Sequence, residues 1–283
     1  MSSLAESVPA NGNRPGFTPG RPPASGTNVS VPNVARIYDY LLGGKDNFSS
    51  DRLAAMELMR VVPDVVMACR HNRQFLKRAV QFLARQKGMR QFIDIGTGLP
   101  TQGNVHEIAR DINPDTRVLY VDNDAVVVSH AQALLADAPT VVAINRDLRS
   151  PREIIGHPAC QALIDLDKPV AVLLVAILHF IPDDDGPYGI VEELKAAMPS
   201  GSYLVISHAT GDDVPAEVAD QVRELYSRAN APAAPRTREG IMHFFDGLEM
   251  IPPGLVDVCA WPSRGKGPEL ERTIFFAGVG RKP

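Results

Sequence analysis

Cysteine is scarce in this chain. Three residues, Cys69, Cys160 and Cys259, stand far apart among 283, an odd number that supports neither a disulfide framework nor a zinc site. They read as buried thiols in a reducing interior. A basic excess is also missing: 29 Lys and Arg oppose 33 Asp and Glu, for a formal charge of -4. Nucleic-acid-binding domains usually carry a positive stripe, and polybasic segments draw proteins to anionic membranes. Neither is present. The longest apolar run, 170–178, falls far short of the ~20 residues a membrane helix needs, and the first residues lack the apolar core of a secretory signal. The expected setting is therefore cytoplasmic, with a small-molecule substrate and no nucleic-acid or membrane partner. Gly43-Gly44-Lys45 lacks the upstream glycine and the following hydroxyl of a phosphate-binding loop. No His-x-Glu or Cys/His spacing marks a metal. Asp183-Asp184-Asp185 lies in a Pro- and Asp-rich turn, where successive side chains diverge, so no metal is expected there either.

What is present falls into three parts. Residues 1–28 are rich in Pro, Gly, Ser and Asn and cannot bury enough surface to offset their ordering entropy, which predicts a disordered tail. Residues 29–88 show helical spacing, with Leu53, Met56, Leu58 and Met59 in one segment and Phe75, Leu76, Ala79, Val80, Phe82 and Leu83 in another. Gly43-Gly44 and Gly88 end helices there, so two or three helices form a cap. From residue 89 to 283 strand and helix alternate. Strands are predicted at 91–95, 118–121, 141–144, 170–176 and 203–207, and helices at about 101–110, 125–135, 190–198 and 215–229. This alternation predicts an α/β, mostly parallel, doubly wound sheet. The last two strands, 254–260 and 273–279, have only a loop between them and should pair antiparallel.

The most informative stretch runs from 91 to 124. An apolar strand ends in Asp94 and breaks into Gly96-Thr97-Gly98; the next strand ends in Asp122-Asn123-Asp124. Glycines at the carboxyl edge of a parallel sheet let a ligand approach the backbone, and an acid after the second strand suits a ribose diol. A dinucleotide fingerprint requires a third glycine where Thr101 stands, which disfavours an NAD-dependent oxidoreductase. Asp124 is the better N-cap for the helix that follows, leaving Asp122 for a ligand.

In topology and in these residues the chain resembles the class I S-adenosylmethionine-dependent methyltransferases, whose Rossmann-like sheet has seven strands, one reversed. Asp94-Ile95-Gly96-Thr97-Gly98 matches their glycine motif, although Pro100 replaces the usual third glycine. The resemblance implies S-adenosyl-L-methionine as cofactor. Gly96, Thr97 and Gly98 would then lie under its methionine part and Asp94 would orient its amino group. Asp122 would take the ribose, and Asn123 would lie beside the adenine. Asp147 and Leu148, after the third strand, would meet the adenine edge, and Ala176 ends the fourth strand beside the cofactor. With ARIYDYLLGGKDNFSSDR at 35–52, RHNRQFLKRAV at 70–80 and residues 238–261, the chain is also similar, from about Val31 onward, to a bacterial S-adenosyl methyltransferase family formerly filed as a domain of unknown function. In many methyltransferases such an N-terminal segment folds over the cofactor. On that basis Tyr38, Gly43, Gly44 and Asn47 would line a lid, and Arg73 would meet the methionine carboxylate, since arginine suits a planar anion.

Methyl transfer from a sulfonium needs alignment more than a catalytic group. His179 and His208, following the fourth and fifth strands, are the candidate general bases. Their weakness leaves open a non-catalytic binder or sensor of S-adenosylmethionine or S-adenosylhomocysteine. Residues 242–245 offer a roof for a substrate pocket, but core packing is the stronger expectation for them. The acceptor and the oligomeric state are not legible in the sequence.

Overall fold

The computed structural model describes residues 28–99, 103–134, 138–262 and 273–283. The expected tail up to residue 27, Pro100 and Thr101 at the third-glycine positions, and most of the loop before the last strand lie outside the described residues. Three helices come first: α1 (Val34–Leu41), α2 (Ser49–Val61) and α3 (Val65–Gln86). The alternating part follows as β1 (Gln91–Ile95), α4 (Val105–Arg110), β2 (Arg117–Asp122), α5 (Ala125–Leu134) and β3 (Val141–Asn145). Then come α6 (Pro151–Ile155), α7 (Pro158–Leu163), β4 (Ala171–Val175), α8 (Pro187–Ala197) and β5 (Tyr203–Ala209). The chain ends with α9 (Ala216–Ser227), α10 (Arg238–His243), β6 (Glu249–Met250), β7 (Val256–Asp257) and β8 (Phe275–Arg281).

The sheet runs β3-β2-β1-β4-β5-β8-β6, parallel through β5 and antiparallel at β8. Its outer edge differs from expectation. The strand predicted at 254–260 is reduced to the two residues of β7, and residues 258–260 form a 3-10 turn instead. β6 and β7 share one side of β8, so seven sheet positions are filled by eight strands. Pro252 and Pro253 lie between these two strands, and neither has an N–H to donate to a ladder. The short helices α6, α7 and α10 carry too few apolar positions for a helical period to show in the sequence.

Strands β1, β2, β4 and β5 are apolar on both faces because both are covered. Phe92, Val118, Leu173 and Val205 face α3 and α4, whereas Ile93, Leu119, Val172 and Leu204 face the α6–α8 side. The third helix of the predicted cap thus belongs to the sheet: Phe75, Leu76, Ala79, Val80 and Leu83 of α3 are buried against it. The first two helices form a smaller core, in which Ile37, Leu41, Ala55 and Leu58 pack with Leu225 and Tyr226 of α9.

Helix α1 starts at Asn33, whose side-chain oxygen accepts from the N–H groups of Ala35 (2.8 Å) and Arg36 (3.2 Å). It stops before Gly43, which turns the chain with φ +84°. Buried Asp51 ties α1 to α2. Its carboxylate accepts from Asn33 N–H (2.9 Å), Arg36 Nε (2.8 Å) and Phe48 N–H (2.8 Å). The Asp183–Asp185 run forms a 3-10 turn whose first and last carboxylates pair with Arg236 and Arg149. No metal-holding cluster of His, Cys, Asp or Glu occurs among the described residues.

Trp261 is the sole tryptophan. It is fully buried between Phe75 and Phe82, edge-on at 5.4 and 5.6 Å. Trp261→Ala should cost about 3–5 kcal/mol in urea unfolding followed by circular dichroism. Trp261→Phe should cost about 1–2 kcal/mol, because the indole N–H has no acceptor among the described residues to lose.

Candidate functional site

The site is built where β1, β2 and β4 end side by side. The backbone of β1 runs into Gly96 (φ +73°) and Gly98 (φ +66°), both in the left-handed region that favours glycine. Gly96 N–H donates to Val121 O (2.8 Å), and Thr97 Oγ1 donates to Asp94 O (3.0 Å), which folds the turn back against β2. A Cβ on Gly96 would stand 2.5 Å from Ile177, whereas one on Gly98 would meet nothing within 4 Å. The turn is therefore tight underneath and open above, as a ligand cradle must be.

Asp122 holds this turn. One carboxylate oxygen accepts from Gly98 N–H and the other from Asp124 N–H, each at 2.9 Å. Burial pushes its pKa up to about 6 against the pull of these N–H bonds. Asp124 caps α5 as expected, accepting from Val126 N–H (2.8 Å). It also accepts from Asn33 Nδ2 at 2.7 Å and lies 3.7 Å from Arg36. This contact latches the start of α1 over the cleft. Asn123 donates to Asp147 (2.9 Å), which also takes the N–H of Arg149 (2.8 Å). Burial raises the Asp147 pKa, but these bonds and the Arg149 charge outweigh it and leave the carboxyl below its ordinary value. Leu148 is buried beneath.

Asp94 is different. It is buried at 6% exposure. No hydrogen bond reaches its carboxylate from the described residues. Burial pushes its pKa up to about 7; Arg73 opposes that shift and Asp122 adds to it. A buried carboxylate short of donors fits a ligand that brings an ammonium group.

Residues 94, 96–98, 122–124, 73, 38 and 176 line one cleft, together with Asn33, Asn72, Ile177, Phe180 and Asn230. An adjoining recess continues over Asp147 and Leu148. The predicted cofactor set is thus brought together, apart from three lid residues. Gly43, Gly44 and Asn47 do not reach the cleft wall. They support it from behind: Asn47 Nδ2 donates to Asp39 (2.8 Å), and Gly44 packs so closely on Asp39 that a Cβ there would collide with it. Arg73 is half-buried at the cleft and donates to Gly103 O (3.2 Å), whereas Arg70 is exposed.

Sequence reading missed the polar wall behind the cleft. Ser207 Oγ donates to Asn72 (2.6 Å), and Asn72 donates to the Tyr38 hydroxyl (3.0 Å). Ser207 Oγ also accepts from Ala176 N–H (3.0 Å). Ala176 has φ +58°, a strained conformation for alanine, held here by that bond and by one to Ser207 O. Nothing in the sequence marks Ser207 or Asn72. Asn33 was findable as a helix cap.

The two histidines separate. His208 is fully buried. Its Nδ1 faces Ala209 O (2.7 Å) and so carries the proton, and Nε2 accepts from Arg236 (3.0 Å). Burial pushes its pKa down to about 3. With both nitrogens engaged, its position does not suit the base assigned to it. His179 lines a second, apolar chamber that adjoins the cleft. Its Nδ1 accepts from Ala209 N–H (3.3 Å), leaving the hydrogen on Nε2, and burial with the neighbouring His208 and Arg236 holds its pKa well down. It is a donor rather than a base.

A parallel sheet with one reversed strand, carrying an acid, a glycine turn and two further acids at its carboxyl edge, defines a class I S-adenosylmethionine-dependent methyltransferase. The sequence matches the profile of the S-adenosyl methyltransferase family over residues 22–283, and the chain belongs to that family. A crystal structure from Thermobifida fusca YX, of a protein provisionally named a methyltransferase, is 36% identical with a TM-score of 0.84. The match covers 89% of this chain and 96% of that one. A DUF574 family protein from Streptomyces avermitilis MA-4680 is 39% identical with a TM-score of 0.85, over 90% and 99% of the two chains. No curated protein matches. Family and site together make the chain an S-adenosylmethionine-dependent methyltransferase rather than an oxidoreductase.

Asp94 imposes a pH dependence with a definite sign. Its folded pKa is raised from 3.8 to about 7, so the folded, ligand-free state holds the proton more tightly than the unfolded one. Stability therefore falls as pH climbs from about 4 to 7 and levels above that. Asp94→Asn should lessen this slope, leaving the smaller part that Asp122 contributes, and stabilise the ligand-free protein at pH 8 by on the order of a few kcal/mol. Urea titrations at pH 5 and pH 8 measure it, and an unchanged slope would refute the assignment. Gly96→Ala should cost about 1–3 kcal/mol through strain and the Ile177 clash, more than Gly98→Ala, in the same assay.

Proposed function

We propose that this methyltransferase transfers the methyl group of S-adenosylmethionine to oxygen or nitrogen of a small molecule. The observation that carries this reading is the buried Asp94 carboxylate, which takes no hydrogen bond from the described residues, beside an open glycine turn, with Asp122 and Asp147 after the neighbouring strands. Asp94 would receive the ammonium of the cofactor and Arg73 its carboxylate. Asp122 would take the ribose hydroxyls on lone pairs left after its two backbone bonds, and Asp147 with Leu148 would meet the adenine. The cofactor supplies an activated methyl group: an acceptor lone pair forms the new bond to carbon while the carbon–sulfur bond breaks onto sulfur, and the acceptor proton passes to water. The protein's own part is to align the two molecules for an in-line displacement.

The formal charge of -4 supports a small-molecule acceptor over a nucleic acid. No disulfide joins Cys69, Cys160 and Cys259 among the described residues, which supports a cytoplasmic setting. Among the described residues no helix is long and apolar enough to cross a membrane.

Calorimetry should give binding of S-adenosylmethionine and S-adenosylhomocysteine and none of NAD. Asp94→Asn and Asp122→Ala should each weaken S-adenosylmethionine at least tenfold, and wild-type affinity should fall below about pH 7 as Asp94 protonates. Methyl-labelled cofactor incubated with small-molecule extract should yield a labelled product. Binding without any labelled product would favour a sensor, and failure to bind either adenosyl ligand would remove the reading.

A further inference from the structure

The apolar chamber beside the cofactor cleft has a volume of about 310 Å³, at the small end of the roughly 300–1,000 Å³ of ligand pockets. It lies between α1, α2, the start of α3 and α9, with Leu41, Leu58, Val62, Val218 and Val222 in its walls. Val34, Tyr38 and Phe180 line both spaces, so the chamber adjoins the cleft near the end of β4. With a cofactor held in the cleft as read above, an acceptor in the chamber would lie next to it.

Every titratable side chain sunk in this chamber is neutral at pH 7. Tyr38 and Tyr226 are pushed well above their ordinary range by burial, Cys69 is pushed up to about 12, and His179 is held well down. Asp213, the one carboxylate of the lining, is exposed at the rim. No cation is among the lining residues and the carboxylate stands only at the rim, so a charge carried into the chamber would lose its hydration with no counter-charge beside it. The polar handles inside are few. Among the described residues no hydrogen bond engages His179 Nε2, and the Tyr38 hydroxyl is already committed to Cys69 O (3.1 Å) and Asn72.

We propose that this chamber is the acceptor site and that it takes an uncharged, largely apolar, ring-sized molecule bearing one hydroxyl or amine. The proposal rests on the methyltransferase reading above for its purpose, and on the chamber alone for its chemistry. His179 Nε2–H would donate to the acceptor heteroatom or to a neighbouring oxygen and fix its orientation. That makes His179 a positioning group and not a proton acceptor.

The test uses the full chain and two probes of one skeleton. N-phenyl-1-naphthylamine is uncharged, and 1-anilinonaphthalene-8-sulfonate adds a sulfonate. The uncharged probe should brighten on binding and bind at least tenfold tighter than the sulfonate. Ala219→Trp fills the chamber from α9 and should weaken the uncharged probe at least tenfold, while S-adenosylhomocysteine affinity by calorimetry stays within twofold. Val222→Phe, a milder filling, serves if Ala219→Trp does not fold by circular dichroism. Equal binding of the two probes, undiminished probe binding in the filled variants, or no probe binding by protein that binds S-adenosylhomocysteine overturns the proposal. Probe binding that behaves as expected in protein unable to bind S-adenosylhomocysteine would instead sink the cofactor reading and leave the chamber's chemistry standing.

Discussion

One carboxylate sets the geometry from which the site follows. Asp122 takes the N–H of Gly98 with one oxygen and that of Asp124 with the other. It thereby fixes the turn after β1 against the turn after β2. Because Gly98 must lie left-handed to present its N–H, the turn cannot relax without breaking a charge-assisted bond in a buried place. Asp124, oriented by the same contact, caps α5 and receives Asn33 from the cap. Sheet edge, glycine turn and the start of α1 are thus joined through two neighbouring acids.

The site also carries a cost. Asp94 is buried without donors from the described residues, and Ala176 is held in a strained conformation beside it. Both are unfavourable for the ligand-free fold and both face the same cleft. Destabilisation at the place where a ligand arrives is what a binding site trades for readiness. A ligand ammonium beside Asp94 would turn a stability cost into binding free energy.

The polar cleft and the apolar chamber divide the work between two kinds of chemistry. The cleft offers carboxylates and backbone groups suited to the charged, hydroxyl-rich cofactor. The chamber offers aliphatic and aromatic walls and neutral titratable groups. They meet at Val34, Tyr38 and Phe180, and the Tyr38–Asn72–Ser207 chain supports that boundary from the sheet side. The helices of the cap do more than cover the cleft: with α9 they build most of the second space.

The local pattern by itself determined the alternating fold, the glycine turn and the acids after the first three strands, because each is a short-range signal. Apolar runs make buried strands, Gly96 and Gly98 permit positive φ, and an acid at a strand end is visible in one line of text. The tertiary structure alone decided the rest. It gave Ser207 and Asn72 their place in the wall across 135 positions of separation, and turned His208 inward onto Arg236. It left Gly43, Gly44 and Asn47 behind the cleft, and split the sheet edge into β6 and β7. It also made the acceptor chamber from segments that touch only after folding. Side-chain direction and burial depend on which distant surfaces close over a residue, and spacing along the chain carries no record of that.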